Sequence, residues 1–224
     1  MELERFAATS AVLETTEDGS PTIFLPEMDE HYHSTHGAIQ EALHVYLRAG
    51  FCVFPENEVH VFEVGFGTGL NALLTLVEAE KLGKKVVYHA VERYPLPPSI
   101  SDQLAYLPAY EAQFRALHAA AWNEEVAITP FFSLRKIECD LNEFTLDTHY
   151  DVIYFDAFGP DKQPDLWNET LFRQIFEHTK NGGVLTTYCA KGAVRRLFQS
   201  VGYTMERIPG PPGKREMLRG RRGE

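Results

Sequence analysis

A hydrophobic strand, Val59-His-Val-Phe-Glu-Val64, runs straight into Gly65-Phe-Gly-Thr-Gly69 and then into a helical pattern over residues 70–82. Leu70, Leu73, Leu74 and Val77 share one face of that helix, and Gly83 supplies its stop. The pattern then recurs. Lys85-Val-Val-Tyr-His-Ala-Val91 is a second strand with Glu92 at its carboxyl end. Pro95, Pro97 and Pro98 break the chain before a helical region that extends to about Trp122. Two β-prone runs follow, residues 126–132 and 134–139, the second ending at Asp140. Tyr150-Asp-Val-Ile-Tyr-Phe155 is a further strand, capped by Asp156. A helix is expected over about residues 168–180, with Asn181-Gly-Gly183 as its stop and Val184-Leu-Thr-Thr-Tyr188 as the next strand. A helix near residues 192–200 and β-prone segments at 203–208 and 215–218 complete the chain. Strands separated by helix-length segments require right-handed crossovers, hence a doubly wound α/β fold with a mostly parallel sheet. The last two segments, joined by Pro209-Gly-Pro-Pro-Gly213, are expected to form an antiparallel hairpin at its C-terminal edge.

Residues 1–58 are less regular: residues 22–25 are β-prone and residues 37–49 have helical spacing. They read as an extension packed on a core formed by residues 59–224, since 224 residues suit a single globular domain. Cys52, Cys139 and Cys189 are too few and too scattered for a disulfide framework, and no C-x-x-C pair marks a zinc site. Met1-Glu-Leu-Glu-Arg-Phe6 lacks the character of a secretion signal, and no apolar run approaches the ~20 residues that span a bilayer, so a soluble cytoplasmic protein without membrane contact is expected. The net charge of −11 argues against a nucleic-acid partner, but its distribution argues the other way. Residues 191–224 carry nine basic and three acidic side chains, which makes that segment +6 on an otherwise acidic body.

A glycine-rich turn between a strand and a helix places a ligand against the amides of the helix N-terminus. The G-x-G-x-G spacing of Gly65, Gly67 and Gly69 departs from the dinucleotide fingerprint, whose third glycine falls on Leu70, and no G-K-[ST] follows to make a phosphate loop. Carboxylates refine this. Glu92 stands where a ribose diol is gripped, Glu63 precedes the loop, and Asp140 and Asp156 end later strands. Four acids at strand ends suit a cationic nucleoside with an ammonium and a sulfonium, and would repel a pyrophosphate. S-adenosylmethionine is the ligand inferred, with NAD as the alternative.

Several ordered motifs carry a resemblance to a known family. Phe62-Glu-Val-Gly-Phe-Gly-Thr-Gly-Leu-Asn71, Glu92-Arg-Tyr-Pro-Leu96, Asp156-Ala-Phe-Gly-Pro160, Pro164-Asp-Leu-Trp167, Leu185-Thr-Thr-Tyr188, Val194-Arg-Arg196 and Lys214-Arg-Glu-Met-Leu218 resemble the methyltransferase module of MnmC-type tRNA wobble-uridine modification enzymes. The likeness runs from about residue 10 to residue 219. It implies a Rossmann-like S-adenosylmethionine-dependent methyltransferase fold. It also implies the free-standing (MnmD-type) form, because the chain is too short for the family's FAD-dependent oxidase half; no FAD is expected. The implied reaction methylates the primary amine of 5-aminomethyl-2-thiouridine in the tRNA anticodon loop, giving 5-methylaminomethyl-2-thiouridine, with a separate oxidase or wobble-uridine enzyme upstream.

By the same resemblance Phe66 and Asn71 join Gly65, Gly67 and Gly69 around the cofactor, and Tyr32 and Ser34 are lid contacts. Asp156 is the catalytic residue and also faces the cofactor, while Phe158 and Pro160 shape the substrate pocket. Lys191, Arg195, Arg196, Lys214 and Arg215 are the candidates for tRNA phosphates. His31-Tyr-His-Ser-Thr-His36 has a spacing that tempts a metal assignment, but methyl transfer needs none and the stretch reads as a loop of partly exposed histidines. Trp167 reads as a packing anchor. The competing functions are methylation of a small molecule or a protein, a nicotinamide-dependent oxidoreductase, and a non-catalytic RNA-binding module.

Overall fold

A computed structural model describes residues 11–223 of the chain. The reading of the first six residues as lacking a secretion signal lies outside the described residues. Among those residues no helix is long and apolar enough to cross a membrane.

The chain opens with β1 (Val12–Thr15), β2 (Pro21–Leu25) and β3 (Glu30–His31), a small antiparallel sheet. Helix α1 (Ala38–Ala42) passes directly into a π-helical turn, Leu43–Arg48. The main sheet begins at β4 (Glu58–Val64), followed by α2 (Leu70–Leu82) and β5 (Lys85–Glu92). Next come α3 (Pro98–Ser101), α4 (Glu111–Ala119), β6 (Glu125–Thr129), β7 (Phe132–Glu138) and β8 (Tyr150–Phe155). The chain ends with α5 (Glu169–His178), β9 (Thr179–Thr187), α6 (Gly192–Val201), β10 (Thr204–Pro209) and β11 (Glu216–Arg221). The eight strands lie in the order β10-β11-β9-β8-β4-β5-β7-β6. The five from β9 to β7 are parallel, and β10, β11 and β6 are antiparallel to their neighbours.

Two apolar layers hold the sheet. On one face Leu70, Leu73, Leu76 and Val77 of α2 pack with Leu117 of α4 and with Val45 and Tyr46 of the π-turn. The other face is covered by Leu171, Phe172 and Ile175 of α5 and by Val194 and Phe198 of α6. There the rings of Phe172 and Phe198 stack at 4.1 Å and 11°. A strand covered on both faces has no solvent side to show, which is why β4 is buried from Val61 to Val64 and carries Val59, Val61, Phe62 and Val64 without strict alternation. Helix α5 starts at Asn168, whose side chain accepts a bond from the Leu171 amide at 2.9 Å. Asn168→Ala removes that cap; a stability loss of about 1 kcal/mol and a melting point lower by about 2–4 °C are expected in thermal unfolding.

Three local expectations are corrected and one pairing left open by the sequence is supplied. The helix expected to reach residue 180 ends at His178, because buried Thr179 is already extended and paired with Tyr150. Asn181-Gly-Gly183 is therefore not a helix stop but a bulge inside β9, where the pairing with β8 shifts from Tyr150↔Thr179 to Val152↔Val184. The two β-prone runs after Trp122 form an antiparallel hairpin, since Pro130 and Phe131 alone separate β6 from β7 and cannot carry a crossover. The single helical region expected before Trp122 is split, with a 3₁₀ turn at Pro108–Tyr110 preceding α4. Residues 37–49 are helical, but most of that helix is the π-turn, and β1 and β3 were not anticipated at all.

Candidate active site

From β4 the chain winds toward β5 and β7 on one side and returns to β8 and β9 on the other. Adjacent strand ends therefore diverge between β4 and β8, the place where open α/β sheets bind ligands. A cavity of about 360 Å³ opens there. Val64 ends β4, Glu92 ends β5, Asp140 follows β7 and Asp156 follows β8, so four strand ends converge on one space.

The glycine turn forms the cavity's floor. Gly67 sits at φ +50°, and a Cβ there would lie 3.3 Å from the ring of Tyr32. Glycine is thus required both by the left-handed backbone and by the close approach of the N-terminal segment. Tyr32 in turn meets Phe158 edge-to-face, with centroids 5.3 Å apart, so the two rings make a wall from opposite ends of the chain.

Of the four acids, three line the cavity and one does not. Glu92 accepts the Gly67 amide on one oxygen and the Tyr94 amide on the other, both at 2.9 Å. Burial pushes its pKa up, against the pull of those amides. Asp140 accepts the Asn142 amide at 2.9 Å, and its second oxygen pairs with Arg93 at 2.8 Å. Asp156 is held twice: the Tyr46 hydroxyl donates to Oδ1 at 2.5 Å and Asn71 Nδ2 donates to Oδ2 at 2.8 Å. Burial raises its pKa to about 7. Glu63 lies beneath the cavity and is 1% exposed, with Oε1 accepting the other N–H of Asn71 at 2.9 Å. Burial drives its pKa well above the ordinary value, against the pull of the Asn71 donor. Glu63 thus sits behind the cavity lining, bonded to Asn71.

Tyr32, Ser34, Gly65, Phe66, Gly67, Asn71 and Phe158 also line the cavity; Gly69 instead caps α2, and Pro160 lies outside the lining. The basic candidates separate. Lys214 points inward, donates to Glu41 Oε1 at 2.6 Å and stands 4.1 Å from the centroid of the Tyr188 ring. Lys191 is exposed and paired with Asp161. Arg195, Arg196 and Arg215 are outside the cavity, and no ion pair engages them among the described residues. The three histidines of the H-x-H-x-x-H stretch diverge. His31 meets Glu14 at 3.0 Å and His36 meets Glu17 at 3.1 Å. His33 lies half-buried between the hydroxyls of Thr22 and Thr68, where desolvation lowers its pKa to about 4.

Tyr46, Glu41 and Tyr188 were not singled out in the sequence, although all three face Asp156. Tyr188 lay within a quoted motif; Tyr46 and Glu41 fall in residues 37–49, where helical spacing gives no hint that the chain returns to a strand end more than a hundred residues away. The cavity's lining includes six acids (Glu30, Glu41, Glu92, Asp140, Asp156 and Asp165) against Arg93 and Lys214, both already ion-paired. Such a surface suits a cation. Asn71, which lines the cavity, keeps its buried Oδ1 without a hydrogen-bond partner, so acceptor capacity is left over at this strand end. A glycine turn, a strand-end carboxylate for a ribose and a negative lining fit S-adenosylmethionine, and the fold and cavity together define a Rossmann-like methyltransferase.

Comparison with known proteins agrees. Residues 101–223 match the profile of a family described as S-adenosyl-L-methionine-dependent methyltransferase, and the chain belongs to that family. The tRNA 5-methylaminomethyl-2-thiouridine biosynthesis bifunctional protein MnmC of Actinobacillus pleuropneumoniae serotype 5b (strain L20) is 32% identical over 223 residues, covering 87% of this chain and 32% of that protein. The protein of the same name from Marinomonas sp. (strain MWYL1) is 29% identical over 240 residues, covering 97% of this chain and 35% of its own length. The chain thus spans about a third of the length of the curated relatives it matches. Among solved structures, MNMC2 from Aquifex aeolicus superposes with a TM-score of 0.80 at 23% identity, over 95% of this chain and 70% of that one. Spermidine synthase from Thermotoga maritima shares the fold more distantly, with a TM-score of 0.55 at 13% identity over 93% of this chain and 70% of that one.

Proposed function

We propose that this protein methylates the primary amine of 5-aminomethyl-2-thiouridine at the tRNA wobble position, giving 5-methylaminomethyl-2-thiouridine. The observation that carries the reading is Asp156: a half-buried carboxylate fixed by two donors, beside the glycine turn on one side and the Tyr32–Phe158 wall on the other. Support also comes from the MnmC relatives, which are named for biosynthesis of this nucleoside. S-adenosylmethionine supplies an electrophilic methyl group: the amine nitrogen forms the N–C bond, the C–S bond breaks, S-adenosylhomocysteine leaves and a proton departs from nitrogen.

The chain's own task is to align a neutral amine with that methyl. A free carboxylate would raise the pKa of a nearby ammonium and favour its unreactive form. Asp156 is a weaker trap because the Tyr46 and Asn71 donors draw on its charge, leaving it to orient the amine and receive the proton. The Tyr32 and Phe158 rings give the uracil ring an apolar face, and a base in the anticodon loop swings out without melting a duplex. Glu92, Asp140, Gly65, Gly67, Phe66 and Asn71 surround the cofactor, with Tyr32 and Ser34 closing over it and Glu63 supporting Asn71 from below. A tRNA substrate places the reaction in the cytoplasm, and the aminomethyl group is made upstream by a separate oxidase or wobble-uridine enzyme.

The inward, paired Lys214 shifts the phosphate role to Arg195, Arg196 and Arg215. Replacing these three with alanine is expected to weaken tRNA binding and to flatten the slope of log K against log salt by about two, at roughly 0.7 for each phosphate no longer neutralised. S-adenosylmethionine affinity stays unchanged, and filter binding across a salt series measures both. The reaction itself is tested by transfer of radiolabelled methyl to tRNA lacking the final wobble methyl, followed by nucleoside analysis. Label in 5-methylaminomethyl-2-thiouridine is the expected result. Label confined to another nucleoside moves the target, and no label on tRNA despite tight cofactor binding returns the small-molecule or protein substrate to first place.

A further inference from the structure

Tyr46 is 2% exposed and its ring packs against Tyr154 at 5.2 Å, as a core aromatic would. Its hydroxyl is not a core group. Buried phenols need a partner, and here the partner is Oδ1 of Asp156, 110 residues away in sequence. The hydroxyl reaches that carboxylate from the π-helical turn Leu43–Arg48. Extra-wide helical turns of this kind are rare and concentrate at functional sites. The turn is seated by Gly50, whose amide donates to the Tyr46 carbonyl at 3.1 Å. A Cβ at Gly50 would lie 2.5 Å from the Tyr46 carbonyl oxygen and 3.1 Å from Val152 on β8. The chain thus passes close to the strand that delivers Asp156, and any larger residue would push the turn away.

We propose that Tyr46 is a positioning residue of the methyl-transfer centre, its hydroxyl holding Asp156 Oδ1 so that the carboxylate meets the incoming amine in one orientation and as the anion. This rests on the methyl transfer to an amine proposed above. Asn71 on α2 performs the matching task at Oδ2, so donors from two separate elements fix the two oxygens and leave their remaining lone pairs for the cavity. The surroundings alone would favour the protonated acid. Burial raises the Asp156 pKa, and Glu41 of α1 raises it further, while Lys214, paired with Glu41, lowers it. Glu63 of β4, Tyr88 of β5 and Tyr188 beyond β9 complete the titratable groups around it. The Tyr46 bond opposes that trend, because a donor to the carboxylate stabilises the charged form.

The test compares the wild-type chain with Tyr46→Phe, which removes one oxygen and keeps the ring. Tyr154→Phe is the control, since the Tyr154 hydroxyl faces Thr75 and its ring lies against Tyr46. Two readouts are taken: the titration of the Asp156 carboxyl carbon by ¹³C NMR, and the pH dependence of kcat with KM for S-adenosylmethionine. In Tyr46→Phe the Asp156 midpoint is expected to rise by about one pH unit, and kcat at pH 7 to fall about tenfold, with KM for the cofactor unchanged. The loss shrinks as the pH rises, and Tyr154→Phe shows neither change. An Asp156 midpoint that stays at the wild-type value in Tyr46→Phe, or one that moves equally in Tyr154→Phe, overturns the proposal. The NMR titration needs no tRNA, so it decides the role of Tyr46 even where the wild-type chain leaves the wobble amine unmethylated, a result that would sink the proposed substrate instead.

Discussion

Asp156→Asn is expected to lower kcat for methyl transfer by about 10²–10³-fold while leaving the dissociation constant for S-adenosylmethionine within about threefold of wild type. The substitution keeps the side chain's shape and removes its charge. The pocket accepts the amide in one orientation. Its oxygen takes the Asn71 N–H that now reaches Oδ2, and its NH₂ faces the Tyr46 hydroxyl, which rotates to accept. The cofactor's surroundings, the glycine turn and Glu92, are untouched, so binding persists. What is lost, in the reaction proposed above, is the group that orients the amine and takes up its proton. The pH profile of the wild-type enzyme is expected to carry the same message. With a pKa of about 7, Asp156 is protonated and inactive below that value and ionised above it, so activity rises with pH through an acid limb near 7. Asp156→Asn abolishes that limb. Single-turnover kinetics with calorimetric cofactor binding read both quantities, and a variant with wild-type kcat would remove Asp156 from the chemistry.

The elements that place the cofactor were legible because each carries its own local pattern. The apolar run of β4, the glycines at positive φ and the acids closing β5, β7 and β8 are all set by residues adjacent in sequence. The parallel order of the sheet follows from the helix-length crossovers. What sequence did not show is set by long-range contact. Glu63 directly precedes the glycine turn, yet its side chain is buried behind the cavity lining, where it bonds to Asn71. Lys214 belongs by composition to a basic segment, but Glu41 and the face of Tyr188 draw it into the cavity. Tyr46 had no distinguishing context at all. A π-turn and an ordinary α-helix have nearly the same apolar spacing, and only the fold shows that its hydroxyl reaches the end of β8. The bulge at residues 181–183 misled for a related reason: Asn-Gly-Gly is turn chemistry wherever it falls, and pairing with β8 kept it inside the strand.

The largest effect on cofactor affinity is expected from Glu92. Its carboxylate is the acceptor for two backbone amides, Gly67 in the glycine turn and Tyr94 beyond β5, so it ties together the two loops at this end of the cavity. Glu92→Ala strands both amides and, in the cofactor placement proposed above, removes the partner for the ribose diol. Each buried group left unsatisfied costs about 1–3 kcal/mol, and a hydrogen bond from a ligand hydroxyl to a charged acceptor is worth about 1.5–3 kcal/mol. Water reaches the open cavity and recovers part of this, which leaves a weakening of S-adenosylmethionine binding of about 10²–10³-fold. Glu92→Gln is no rescue. Its single carbonyl oxygen serves one amide, and its NH₂ group faces the other donor head-on, so an intermediate loss of at least about tenfold is expected. Because neither variant alters Asp156 or its two donors, kcat at saturating cofactor stays within a few-fold of wild type, the opposite of the Asp156→Asn pattern. Equilibrium binding and saturation kinetics on both variants separate the two roles. Cofactor affinity that survives Glu92→Ala within threefold would mean that this acid only braces the loops, and that the ribose is held elsewhere in the cavity.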